Sequence, residues 1–492
     1  MSFTTVTRMF TITSSAASSP PSPPISQSAR PSNLPVRSIP GSYGLPLVGP
    51  LSDRMDYFWF QGPDKFFKTR IEKHDSTVFR TNMPPTFPFF WDVNPNVVAV
   101  LDCASFAHMF DMELVEKRNI LVGDFMPSVQ FTGGVRVCAY LDTAEPKHAK
   151  IKNFAMDILK RSSKSWTTNL TTELDAMWDS IESTLSGNTS AGYVVPLQQF
   201  LFKFLTKSLL GADPASNPEI AKSGYSMLDT WLGLQILPTV SINVIQPLEE
   251  IFLHSFPYPF ALVSSSYNKL AKFVETQCVE VLERGQAEFG LTKQEAIHNL
   301  LFILGFNAFG GFSVFFPSLI STIANDSKLQ ERLRKEVKEN TGGSSLSFES
   351  LTRLDLVKSV VYETLRLNPP VPLQYARARK DFELRSHDST YQIKKGELLC
   401  GYQKIVMRDS KVFDDPETFN PERFMGDEGR DLLNYLYWSN GPQTGTSSEL
   451  NKQCAAKDIV CMTACLFVAH LFTRYENVTF DSTSVTAVVK AK

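Results

Sequence analysis

Residues 451–472 read NKQCAAKDIVCMTACLFVAHLF, a cysteine, Cys454, set just ahead of an apolar helix expected over Ile459–Phe472. A cysteine in that place is by itself an ordinary packing residue. It gains chemistry when a helix N-terminus and its free backbone N–H groups favour the thiolate. Two signals precede it in order. Glu363 and Arg366 stand in YETLRLNPP (362–370), three apart on a helix that the prolines end, so both side chains share one face. FNPERF (419–424) then offers Arg423, and WSNGP (438–442) reads as a loop leading to the cysteine. An isolated ExxR is a common surface ion pair; the ordered set is what is specific. Glu363, Arg366 and Arg423 are expected to lock the fold around the cysteine loop as a hydrogen-bonded network. Cys461 and Cys465, inside the helix, are expected in the core.

Around this stretch lies a chain of 492 residues, long enough for one large catalytic domain. Its 49 Lys and Arg against 51 Asp and Glu leave no basic excess for nucleic acid. Seven cysteines without a CxxC pair exclude a secreted disulfide scaffold. Phe outnumbers Tyr by 37 to 14, a surplus of rings without hydroxyls that suits a core and an apolar ligand. Helical spacing dominates from about residue 60, over Asp142–Leu159, Trp166–Leu185, Leu262–Phe289, Lys293–Ala324 and Lys328–Asn340. Strand-like patches are short: Thr86–Val93, Val97–Leu101 and Leu398–Gly401. The expected architecture is mainly α with a small β portion. The charge-free run 300–320 is long enough to cross a bilayer, but Asn307, Gly310, Gly311 and Pro317 interrupt it. It is expected to run through the core, with membrane contact at most peripheral.

The first 35 residues hold nine Ser, five Thr and six Pro, and the first acidic residue is Asp53. That pattern predicts a plastid transit peptide over residues 1–37 and a single catalytic domain over 38–492.

The ordered set around Cys454 resembles the haem-thiolate cytochromes of the P450 superfamily. The resemblance implies that fold, with haem b between a long central helix and the cysteine loop, and Cys454 as ligand of the haem iron. Two departures narrow it. The central stretch Gly305–Gly311 lacks the acid–alcohol pair with which oxygen-activating members deliver protons. The cysteine loop is also long, with Lys452 where Arg is usual and Ala456 where Gly is usual. A substrate that already carries an O–O bond needs no such delivery. PGSYGLPLVGPLSDRMDYFWFQGPDKFF (40–67), TGGVRVCAYLDTAEPKHAKIK (132–152), FNAFGGFSVFFP (306–317), NPPVPLQYARARKD (368–381) and NKQCAAKD (451–458) resemble the plant fatty-acid hydroperoxide branch. That branch holds allene oxide synthases, hydroperoxide lyases and divinyl ether synthases.

By this resemblance, Asn307 orients the hydroperoxide, and Lys117, His148, Lys152 and Lys452 hold the haem propionates. Phe306, Phe309 and Phe312 line the acyl channel. O–O homolysis leaves an alkoxyl radical that closes to an epoxyallylic radical. Its oxidation and loss of a proton give an allene oxide; return of hydroxyl after rearrangement gives a hemiacetal that falls into an aldehyde and an oxo-acid. Leu121, in KRNILVGDFMP (117–127), replaces the Phe of the synthases. Without a ring to stabilise an electron-poor carbon, the lyase route is expected. The expected activity is thus a chloroplast lyase acting on 13-hydroperoxides of linoleic and linolenic acid, without a redox partner. Allene oxide synthase, a reductase-dependent monooxygenase and a non-catalytic haem protein are the alternatives.

Overall fold

The computed structural model describes residues 34–86, 88–240, 246, 248–324, 326–341, 346–481 and 483–491. Most of the expected transit peptide, residues 1–33, lies outside them. Val36–Arg37 pairs in parallel with Thr390–Tyr391.

Helices dominate, with a small sheet portion. Its largest sheet has the spatial order Val78–Asn82, Asn96–Val100, Leu398–Tyr402, Leu373–Ala378, Val115–Glu116, and a smaller core sits against it. The expected strand at Thr86–Val93 does not form among the described residues: Pro84, Pro85 and Pro88 supply no backbone N–H to a ladder. The expected helix from Asp142 starts instead at Pro146, because Asp142 uses Oδ1 to accept the Ala144 N–H at 2.9 Å. Leu262–Phe289 is two helices, Ser264–Gln277 and Val279–Phe289, parted at Cys278.

The charge-free run lies within one helix, Lys293–Ala324, which starts at a capping box of Thr292 and Glu295. By length and composition it could cross a membrane, yet 56% of its most apolar window is buried and it passes through the main core. Its middle, Ile303–Phe309, is wound as a π-helix. Glycines allow the close crossing there. A Cβ on Gly305 would come within 2.7 Å of both Leu228 and Trp231, and one on Gly310 within 2.6 Å of Leu232. The helix Pro218–Ile236 therefore presses against the central helix where the π turn widens it.

Candidate active site

The cysteine loop begins at a two-residue hairpin, Tyr437–Trp438 against Gly441–Pro442, turned by Asn440 at φ +66°. Gln453 fills its inside: a Cβ on Gly441 or Gly445 would lie 2.8 Å from its amide, which donates to the Pro442 carbonyl at 2.5 Å. Cys454 donates its backbone N–H to the Ser439 carbonyl at 3.1 Å and stands ahead of the helix Lys457–Arg474. Burial pushes its thiol pKa up, while the Ala456 N–H and the Lys152 and Lys457 ammoniums favour the thiolate. Cys461 and Cys465 are buried in the core, as expected.

Glu363 receives Arg366 through both oxygens, at 2.7 and 2.8 Å, and Arg423 Nε at 3.0 Å, with all three side chains buried. Arg366 goes on to the carbonyls of Met407 and Pro416, and Arg423 to those of Asp414, Asp415 and Thr418. The network thus ties its helix to the segment 407–424 rather than directly to the cysteine loop. That segment reaches the hairpin through Met407, whose sulfur accepts the Tyr437 N–H at 3.2 Å.

Four basic side chains gather near the loop, and among the described residues none forms an ion pair with a carboxylate. Lys117, 4% exposed, has no hydrogen-bond partner for Nζ, and burial followed by the neighbouring Lys452 lowers its pKa to about 7. His148 bonds the Glu449 carbonyl at 3.1 Å through Nδ1, leaving Nε2 buried and unpartnered. Burial, then Lys452 and Lys152, brings its pKa to about 4. Lys152 donates to the Gln453 carbonyl, and burial lowers its pKa too. The Lys452 ammonium donates to the carbonyls of Cys138, Ala139 and Leu141.

Buried nitrogens without partners are costly unless an anion meets them. A group with two carboxylates and a metal that takes a thiolate fits this donor set: Lys117 and His148 for the acids, Cys454 for the metal. Haem has that chemistry.

On the distal side, Asn307 is exposed in the middle of the π segment, and its amide makes no hydrogen bond with the described residues. A Cβ on Gly311, one turn further on, would meet nothing within 4 Å, so the helix has open space beside it here. The three phenylalanines separate. Phe309 and Phe312 are buried in the main core. Phe306 is half-buried, stacked on Phe302 at 4.6 Å. Leu121 is half-buried against the main core, on the segment that leaves Lys117.

Sequence reading missed the π turn and two polar residues, Asn299 and Cys138, which join across the site at 3.1 Å. The one available signal was Asn299 itself, a polar residue entering an apolar run.

The chain matches the family model described as Cytochrome P450 over residues 312–444. The match starts after Asn307 and stops before Cys454, so it takes in the start of the cysteine loop but neither of these two residues. A tomato (Solanum lycopersicum) protein named fatty acid hydroperoxide lyase, chloroplastic, is 64% identical over 96% of this chain and 99% of its own. An Arabidopsis thaliana linolenate hydroperoxide lyase, chloroplastic, is 61% identical over 98% of this chain and 97% of its own. A Linum usitatissimum allene oxide synthase, chloroplastic, is 42% identical over 90% of this chain and 83% of its own. Among solved structures, a zebrafish cytochrome P450 superposes with a TM-score of 0.64 at 17% identity, covering 86% of this chain and 98% of that one.

Proposed function

Because the chain belongs to the cytochrome P450 family, and within it to the fatty-acid hydroperoxide lyases, we propose that it cleaves 13-hydroperoxides of linolenic and linoleic acid. The products are a six-carbon aldehyde, 3-hexenal or hexanal, and a twelve-carbon oxo-acid. The reaction uses neither O₂ nor a reductase, and the enzyme works in the plastid, to which residues 1–33 address it.

The observation that carries this reading is Asn307. Its uncharged amide is exposed and without a hydrogen-bond partner among the described residues, where the central helix borders open space. An amide can donate to one hydroperoxide oxygen and accept from the other, which fixes the O–O bond in one orientation. It has no titratable proton for a relay to O₂, and no Asp, Glu or Thr stands between Gly305 and Gly311.

Haem b, held through Cys454 with Lys117, His148 and Lys152 near its acids, supplies one-electron cleavage of the substrate's O–O bond. The remaining work belongs to the chain. The hydrocarbon side chains around Asn307, Phe306 among them, exclude water from the carbon radical. Leu121 supplies bulk without a π-face, so the radical is not drawn toward a cation and takes up hydroxyl instead.

The test is to feed purified protein a 13-hydroperoxide with no NADPH and no reductase. Rapid loss of conjugated-diene absorbance with short aldehydes as products is expected. A requirement for a reductase, or ketols as the main product, overturns the reading.

A further inference from the structure

Residues 138–141 are the meeting point of three parts of the site. On the distal side, buried Asn299, on the central helix ahead of Asn307, accepts the Cys138 N–H through Oδ1 at 3.1 Å. Its Nδ2 donates to the Glu295 carbonyl at 2.9 Å, which fixes the amide so that Oδ1 faces Cys138. On the proximal side, Lys452, two positions before Cys454, donates to the carbonyls of Cys138 and Leu141 at 2.7 Å each and of Ala139 at 3.3 Å. Between them the Tyr140 carbonyl accepts the N–H of Asn119 at 3.0 Å, two positions before Leu121. The Tyr140 ring also stands edge-on to Phe302 of the central helix, with centroids 5.7 Å apart.

Cys138 therefore offers its N–H to the helix that carries Asn307 and its carbonyl to the loop that carries Cys454. We propose that Asn299 and Lys452 act in series through Cys138 as a strap that sets the spacing between the distal helix and the cysteine loop. Asn299 is then a positioning residue for the reaction. Lys452 acts on this segment through its backbone carbonyls. Asn299 is buried and Lys452 half-buried, and loosening one end frees the peptide that the other end holds. Leu121 follows the same segment through Asn119, so the product choice is tied to the strap. Only that product link rests on the lyase reading.

The test uses the haem-loaded enzyme with Asn299→Leu, Lys452→Met and the double variant. Its readouts are hydrogen exchange at the Cys138 amide, the Soret maximum and the ratio of aldehyde to ketol. Each single variant is expected to raise exchange at Cys138 about fivefold or more, displace the Soret maximum and lower the aldehyde ratio. The double variant goes no further than the stronger single one, as links in series require. Asn299→Asp keeps the acceptor and is expected to keep Cys138 protected. Lys452→Met is informative even if Asn299→Leu does not fold, because the partner of the Cys138 N–H is Asn299 and not Lys452. Unchanged exchange in Lys452→Met, or additive effects in the double variant, overturns the strap. A wild type that makes no aldehyde overturns the lyase reading instead, and exchange and the Soret position then decide the strap alone.

Discussion

Replacing Lys117 by Met has opposite consequences for haem-free and haem-loaded protein. The Lys117 ammonium is buried with no hydrogen-bond partner, and its pKa falls from 10.5 to about 7. The unfolded chain keeps that proton up to about 10.5, whereas the folded chain releases it near 7. Folding without haem therefore bears a penalty that is fully present below pH 7 and disappears as pH rises toward 10.5. The gap corresponds to roughly 5 kcal/mol of disfavour for the charged form. Methionine keeps the apolar stem and drops the charge, so haem-free Lys117→Met should be about 3–5 kcal/mol more stable than wild type at pH 6. At pH 10 the two should be nearly equal. With haem bound the sign reverses, because the variant leaves a buried carboxylate without its cation. Haem affinity should fall about tenfold to hundredfold. Denaturant unfolding of haem-free protein at pH 6, 8 and 10, with haem-transfer competition for the affinity, reads both arms. Destabilised haem-free Lys117→Met at pH 6, or an unchanged haem affinity, refutes the assignment of Lys117 to an anion.

Leu121→Phe should move products toward allene oxide, seen as ketols after hydrolysis, by about tenfold for each 1.4 kcal/mol the ring contributes, while the Soret band stays in place. An unmoved product ratio removes Leu121 from the product choice. Glu363→Gln leaves two buried guanidiniums sharing one neutral partner, and should cost about 3–5 kcal/mol in denaturant unfolding. A cost below about 1 kcal/mol would mean that backbone carbonyls alone satisfy Arg366 and Arg423. Deleting residues 1–33 should leave turnover intact and abolish import into isolated plastids; continued import would place the address elsewhere.

What the sequence made readable was local or ordered. Glu363 and Arg366 are one helical turn apart, Arg423 and Cys454 follow in a recognisable order, and the apolar run announced the central helix. What stayed hidden depended on distant partners. The π turn at Ile303–Phe309 sits where Leu228, Trp231 and Leu232 press against Gly305 and Gly310, contacts that no local pattern encodes. Asn299 and Cys138 meet across 161 residues of chain. Phe309 and Phe312 have the same spacing whether they face a channel or a core, and only the placement of neighbouring helices decides. Val115–Glu116, a strand of two residues, is too short to leave a period. Lys452 could be recognised as a cation, but the three carbonyls that engage it come from a loop folded against it.

The central claim, that the substrate's own oxygen returns to its carbon skeleton, is tested most directly by isotope tracing. A 13-hydroperoxide labelled with ¹⁸O in both oxygens is given to the enzyme without reductant, and aldehydes are reduced at once to stop exchange with water. Cleavage through a hemiacetal predicts one labelled oxygen in the six-carbon product and one at the new end of the twelve-carbon product. Solvent oxygen in either product under those conditions, or ketols that carry it, would show that water captured a cation and would contradict the account.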